Sequence, residues 1–252
     1  MKLDGRSAFI TGGSRGVGRG MALVFAREGA DVVINYRRDE DAARETVAEI
    51  QKLGRQAVAV KGDVMDAEDC RRNIDDAVTF LGKLDLLVNN AGIASRGRHL
   101  MDTEEEEMQR VIAIHILGSF YMAKYALPHL RANSRSDIFF VSSGSARSSA
   151  AGSAPYTAAK AGMEGMARCL ATEERPNNIR VNILAPGLVN TEMGRRLVRA
   201  TRGVEDINEI ASNQPFGRLL QPEDIGMLAA FLASAESELI TGQFVGLGGT
   251  VG

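Results

Sequence analysis

Cysteine is scarce in this chain: Cys70 and Cys169 are its only two, far apart and without metal-ligand spacing. Their scarcity argues against a disulfide-built scaffold and fits a reducing compartment. An excess of charge is missing as well. Lys and Arg total 30 and Asp and Glu 32, a formal charge of -2, so nothing in the balance attracts a nucleic-acid backbone or an anionic membrane. No apolar run reaches the length of a bilayer span. Between Met1 and the strand-like Ser7-Ala8-Phe9-Ile10 there is no room for a cationic leader followed by an apolar signal core. The expectation is a cytoplasmic protein without nucleic-acid or membrane partners. Only three histidines occur; His99 and His129 fall in or near expected loops as solvated residues, and no metal site is expected.

What is present is core material. Hydrophobic residues make up 44% and charged residues 25% of 252 residues, ordinary for a globular chain and compatible with one domain over residues 1–252. Short apolar runs alternate with helical patterns. Ala8–Ile10, Val32–Ile34, Ala57–Val60, Leu84–Val88, Ile138–Val141 and Val181–Leu184 are strand candidates, apolar on both faces as a covered parallel sheet requires. Val17, Met21 and Val24, then Ala43, Val47, Ile50 and Leu53, repeat at helical spacing between them. The fold class is α/β: one doubly wound, Rossmann-like domain with a parallel sheet of about seven strands and helices on both faces. Glu104 to Glu107 sit where a helix should begin, as first-turn acids facing its dipole. Residues 190–214 follow the last apolar run with few core-like residues, a segment suited to a lid.

Thr11-Gly12-Gly13-Ser14-Arg15-Gly16-Val17-Gly18 joins the first strand to the first helix. Gly12, Gly16 and Gly18 let the backbone turn tightly and approach a pyrophosphate, which then meets the free N–H groups of the helix start. The second strand ends in Asn35-Tyr36-Arg37-Arg38, where an acid would have bound the adenosine ribose. With that acid missing, Arg15 and Arg37 can clamp a 2′-phosphate through charge-assisted hydrogen bonds. NADP(H) is favoured over NAD(H).

Tyr156 and Lys160 lie four residues apart in Tyr156-Thr157-Ala158-Ala159-Lys160, on one face of a helix. A free phenol has a pKa of about 10, and a neighbouring ammonium favours its ionised form. The spacing alone recurs in helices where the tyrosine is merely half-buried and the lysine snorkels.

Taken in order, these motifs resemble the short-chain dehydrogenase/reductase family over essentially the whole chain. The same resemblance covers Asp63-Val64 after the third strand, Asn89-Asn90-Ala91-Gly92 after the fourth, Ser142-Ser143 after the fifth and Pro186-Gly187 after the sixth. It implies that these serve the adenine, the inner cofactor wall, catalysis and the nicotinamide pocket in turn. Ser14, Arg15 and Val17 in the first turn, Tyr36 and Arg37 after the second strand, and Val189 and Thr191 beyond Pro186-Gly187 complete the implied cofactor contacts. Ser143 stands thirteen residues before Tyr156, the family's spacing, which selects it over Ser142. The implied roles are proton exchange with the substrate oxygen by Tyr156, a hydrogen bond to that oxygen from Ser143, and ribose binding with lowering of the tyrosine pKa by Lys160.

Two positions depart from the family pattern. Ile114-His115-Ile116-Leu117-Gly118 has histidine where an asparagine commonly kinks the helix and exposes a carbonyl to a proton-relay water. His115 is counted with Ser143, Tyr156 and Lys160 as a candidate catalytic residue. An altered relay, impaired catalysis, a cofactor-binding protein without turnover and a simply packed histidine all stay open. The second departure is the end of the chain, Phe244-Val245-Gly246-Leu247-Gly248-Gly249, where an Asp or Asn usually precedes Gly-Gly. By resemblance the protein is a homotetramer acting on a small carbonyl or alcohol. The nearest flavour is that of 3-oxoacyl-carrier-protein reductases and related carbonyl reductases. A carrier-bound substrate would suit Arg195, Arg199 and Arg202 on one face of the lid, but a solvated helix face is the better explanation. An alcohol or hydroxysteroid dehydrogenase is the alternative activity.

Overall fold

Strands that are apolar on both sides need cover on both sides. The computed structural model, which describes residues 1–249, provides it around one parallel sheet. The elements alternate: β1 (Ser7–Ile10), α1 (Gly16–Arg27), β2 (Asp31–Tyr36), α2 (Glu40–Lys52), β3 (Ala57–Lys61), α3 (Ala67–Leu81) and β4 (Leu86–Asn89). Next come α4 (Glu105–Ile112), a π-helical turn (Ala113–Leu117), α5 (Gly118–Arg131), β5 (Ser136–Val141), the short α6 (Ser145–Ser148), α7 (Ala154–Glu173) and β6 (Ile179–Pro186). The chain finishes with α8 (Glu192–Arg202), α9 (Pro222–Ala233) and β7 (Phe244–Leu247). The sheet order is β3-β2-β1-β4-β5-β6-β7, all pairs parallel. The last three residues, 250–252, lie outside the described residues.

Period-two alternation divides the side chains between two layers. Ala8, Ile10, Val32, Ile34, Phe139 and Val141 face α1, α2 and α9, while Phe9, Val33, Ile138 and Phe140 face α3, α5 and α7. Caps set several boundaries. Asp66 accepts from the N–H groups of Glu68 and Asp69 at the start of α3, and Gly82 ends it at φ 75°, where a side chain would be strained. At the other end of the sheet from the strand C-termini, Arg6 bridges Asp85 (2.6 Å) and Asp137 (2.8 Å), and Arg180 reaches Asp137 at 2.7 Å. That buried network explains why the fourth strand begins at Leu86: Asp85 is held by arginine and by the backbone N–H of Ser7.

Four expectations need correction. Leu53 is half exposed because it caps α2 rather than extending its apolar face. Glu107 is buried, its carboxylate accepting from the backbone N–H of Arg96, so it ties down the preceding loop instead of only facing the helix dipole. His129 lies in the last turn of α5, not in a loop. Finally, α4, the π turn and α5 form one helix, Glu105–Arg131, long and apolar enough by composition to cross a bilayer. Its apolar residues Val111, Ile114, Met122, Ala126 and Leu130 are instead buried in the protein. The expectation of no such run overlooked that three segments join end to end.

Phe139 is completely buried in the α1–α9 layer. Phe139→Ala is expected to cost ~3–5 kcal/mol in urea unfolding through the cavity it leaves; a loss below 1 kcal/mol would mean that this layer collapses around the gap.

Candidate active site

In an open parallel sheet, sites form outside the strand C-termini where the strand order reverses. Here that point lies between β1 and β4, and the glycine-rich turn occupies it. Gly12 and Gly16 have φ of 62° and 55°, a region that disfavours side chains. A Cβ on Gly18 would lie 2.4 Å from the Gly12 carbonyl oxygen, so this glycine permits the close return of the helix. Helix α1 begins without a side-chain cap and without an acid in its first turn. Its N-terminal N–H groups and dipole are therefore available to an anion such as a pyrophosphate.

The turn is fastened by Thr11, which had no role of its own in the sequence reading, against Asn90 and Ala91. The Thr11 hydroxyl accepts from the N–H groups of Asn90 (2.8 Å) and Ala91 (2.9 Å) and donates to the Val88 carbonyl at 3.1 Å. Asn90 returns the contact, donating to the Thr11 carbonyl at 2.8 Å. Asn35, inside β2, donates to the Gly62 carbonyl at 3.0 Å, accepts from the Gly13 N–H at its own carbonyl and is buried, which ties the turn to the second strand.

The two arginines expected to clamp a phosphate each face a carboxylate. Arg37 Nε stands 2.9 Å from Asp63, and Arg15 Nη1 stands 3.3 Å from Glu192. Both guanidiniums remain substantially exposed, and such pairs are worth only ~0–1 kcal/mol, so a phosphate can compete for them. Tyr36 and Val64 are buried beneath. On the other side, Gly187 donates to the Leu247 carbonyl at 3.0 Å, and Val189 bridges to Leu220. Thr191 caps α8 by accepting from the Gly194 N–H at 3.1 Å. A Cβ on Gly16 would come 3.6 Å from Thr191, so the start of residues 190–214 adjoins the turn. That segment has few buried apolar residues, Val198, Ile207 and Ile210, which pack against Leu219.

The structure gathers Ser143, Tyr156, Lys160 and His115. Tyr156 makes a side-chain hydrogen bond with Ser143, and burial pushes its phenol pKa up more than that bond lowers it. The Lys160 ammonium lies 5.6 Å from the centre of the Tyr156 ring and donates to the Val141 carbonyl at 2.6 Å. Burial brings Lys160 down to about 7, against a smaller raising effect of Glu164. The phenol is therefore raised rather than depressed in this arrangement, because desolvation outweighs the one opposing influence, the hydrogen bond with Ser143. Ser142 turns instead to Glu164, donating to its carboxylate at 2.6 Å.

His115 sits in the π turn, so the local irregularity expected of an asparagine is present with histidine. Its ring meets the Tyr156 ring edge-on, centroids 5.4 Å apart at 87°. Nε2 lies 2.9 Å from the Ile93 carbonyl, to which it donates as the N–H tautomer, whereas the buried Nδ1 has no protein partner. A Cβ on Gly92 would lie 2.3 Å from the ring; glycine is what lets the imidazole fit. Burial first, then the charge of Lys160, lower the histidine pKa to about 3 despite the bond to Ile93. Burial and the neighbouring Lys160 thus both favour the neutral imidazole over the charged one.

A folded-state pKa below the ordinary histidine value means that the unfolded chain takes up a proton the folded chain refuses as pH falls from about 6.5 towards about 3. Wild type is expected to lose more stability than His115→Asn between pH 7 and 5, read from urea midpoints. Equal losses would show that His115 is protonated in place.

The chain is similar to known proteins over nearly its whole length. A family model described as enoyl-(acyl carrier protein) reductase matches residues 12–249. Tetrahydroxynaphthalene reductase of Pyricularia oryzae is 35% identical over 255 residues, covering 98% of this chain and 89% of that protein. Among solved structures, a short-chain dehydrogenase of Burkholderia cenocepacia in complex with NADP is 32% identical, with a TM-score of 0.89, covering 99% of this chain and 98% of that one. A 3-ketoacyl-(acyl-carrier-protein) reductase of Brucella melitensis complexed with NADH is 33% identical, with a TM-score of 0.88, covering 98% and 99%.

Proposed function

Since the chain belongs to the short-chain dehydrogenase/reductase family, we propose that it is an NADP(H)-dependent reductase of small ketones, with Ser143, Tyr156 and Lys160 as its catalytic residues and His115 as a positioning residue. The observation that carries this reading is the gathering of three groups at the end of β5: Tyr156 bonded to Ser143, and Lys160 5.6 Å from the Tyr156 ring. Reduction of a carbonyl ends with a proton on oxygen, and a neutral phenol within reach of the Ser143 hydroxyl is a ready donor. Ser143 donates to the same oxygen and so orients it towards Tyr156. Lys160 holds the cofactor ribose and replenishes the tyrosine's proton. His115, neutral and edge-on to Tyr156, fixes the plane of the phenol.

The uncapped start of α1, with Gly12, Ser14, Gly16, Val17 and Gly18, would hold the pyrophosphate. Asp63 and Val64 take the adenine, Tyr36, Arg37 and Arg15 the 2′-phosphate end, and Asn90, Ala91, Gly92, Pro186, Gly187, Val189 and Thr191 the nicotinamide end. When bound, the dinucleotide supplies hydride to the carbonyl carbon. Support for NADP(H) comes from the two arginines and from the NADP complex of the Burkholderia relative.

For the substrate we favour a flat, largely apolar cyclic ketone. The Pyricularia relative's name indicates a hydroxynaphthalene substrate, and the segments flanking the cluster carry the exposed Leu100, Met101, Met193 and Leu197. The second reading, a 3-oxoacyl thioester on a carrier, is supported by the Brucella neighbour. The lid arginines do not decide between the two readings: Arg196 with Glu192, Arg199 with Glu205 and Arg195 with Asn190 form exposed pairs as displaceable as those of Arg15 and Arg37. We further propose that residues 190–214 close over the substrate within a single domain, and that the cytoplasmic protein is a homotetramer. The exposed Phe231 and Leu239 beside Phe244 support assembly.

The test is NADPH and NADH oxidation over cyclic aryl ketones, quinones and 3-oxoacyl thioesters. Turnover on ketones with NADPH preferred at least ~tenfold, and that preference lost in Arg37→Asp, is expected. NADPH binding without turnover on any of them would leave a cofactor-binding protein.

A further inference from the structure

Two polar contacts stitch α7 to the end of β5, and catalysis accounts for only one. Lys160 Nζ donates to the Val141 carbonyl at 2.6 Å. One helical turn later, the Glu164 carboxylate accepts from the Ser142 hydroxyl, also at 2.6 Å. Val141 and Ser142 are consecutive, and the next residue is Ser143, the hydrogen-bond partner of Tyr156. Lys160, Glu164 and Ser142 are all nearly inaccessible, at 3%, 4% and 3% exposure. The helix that carries Tyr156 therefore grips the strand that carries Ser143 at two successive residues.

We infer that Glu164 and Ser142 are positioning residues for this site: Glu164 serves as the counter-charge of Lys160, and its bond to Ser142 sets Ser143 against Tyr156. A buried carboxylate is costly unless it is paired and hydrogen-bonded, and simple helix–strand packing at this position needs only an apolar side chain. The carboxylate has use for its charge. Arg147 of α6 and Arg168 of α7 approach its second oxygen at 3.8 Å each, beyond hydrogen-bond length. The Arg147 guanidinium also covers the Phe244 ring at 3.7 Å. Towards Lys160 the charged and titratable neighbours are Glu164 and Tyr156 from α7 and the neutral His115 from the π turn. Glu164 is the one whose charge holds a proton on the lysine, opposing the burial that brings it to about 7.

The inference rests on the catalytic reading above, and the experiment separates the two. In the purified protein, kcat/KM for a reducible ketone and NADPH affinity from cofactor fluorescence are each followed against pH. Glu164→Gln keeps an oxygen for Ser142 but removes the charge, so the alkaline limb of both profiles should move down by about one pH unit. Glu164→Asp keeps a charge near Lys160 but shortens the reach to Ser142, so the limb should stay while kcat falls. Ser142→Ala should lower kcat about tenfold with the limb unmoved, because only the placement of Ser143 is loosened. Limbs of Glu164→Gln that superimpose on wild type would overturn the counter-charge. Undiminished kcat in Ser142→Ala would overturn the positioning, and this variant, which deletes one oxygen, serves even if Glu164→Gln does not fold. If wild type reduces no ketone yet the limb of NADPH affinity still shifts in Glu164→Gln, the counter-charge stands and the assigned activity falls.

Discussion

The site depends on one buried ammonium. Lys160 is 3% exposed and its direct protein acceptor is the carbonyl of Val141. Desolvation alone would strip its proton at neutral pH, and a neutral lysine could neither bind a ribose as a cation nor feed a proton to Tyr156. The surroundings look arranged around that difficulty. A carboxylate lies one turn away, the neighbouring imidazole is kept neutral rather than adding a second positive charge, and β5 ends where its carbonyl can accept. Because Tyr156, Lys160 and Glu164 ride on one helix, whatever moves α7 against β5 disturbs donor, cation and counter-charge together.

Much of this was legible in the sequence, for reasons that can be named. Six of the seven strands are short, apolar on both sides and separated by helical patterns, so periodicity located them to within two residues, whereas the half-exposed β7 was not among the apolar runs. The turn at Gly12–Gly18 was legible because positive φ and close backbone return demand glycine. The grouping of Ser143, Tyr156 and Lys160 came from ordered motifs and the structure brings them together. What was not legible depends on three-dimensional juxtaposition. Nothing in the string marks Glu164 as facing Ser142 rather than solvent, or Glu107 as reaching back to Arg96. The π turn at Ala113–Leu117 joins two helices into one, which local hydropathy could not reveal.

A correct pairing of residues can carry a wrong sign. Four-residue spacing brings Lys160 beside Tyr156, but the expectation of an acidified phenol ignored what burial does to both groups. With the phenol pushed up and the lysine brought down to about 7, burial favours the protonated phenol, the form that carbonyl reduction draws on. His115 follows the same logic. Its sequence position suggested a titrating relay, yet burial brings it to about 3, and its edge-on contact with the phenol makes orientation its contribution.

The central claim is that the Tyr156 hydroxyl supplies the proton. Tyr156→Phe removes that one oxygen while keeping the ring that His115 supports. The measurement is kcat for the best ketone beside NADPH affinity in the same preparation. Loss of kcat by ~10²–10⁴-fold, the usual worth of a positioned acid, with cofactor affinity within about twofold of wild type, is the result the account predicts. A kcat undiminished in Tyr156→Phe would contradict it.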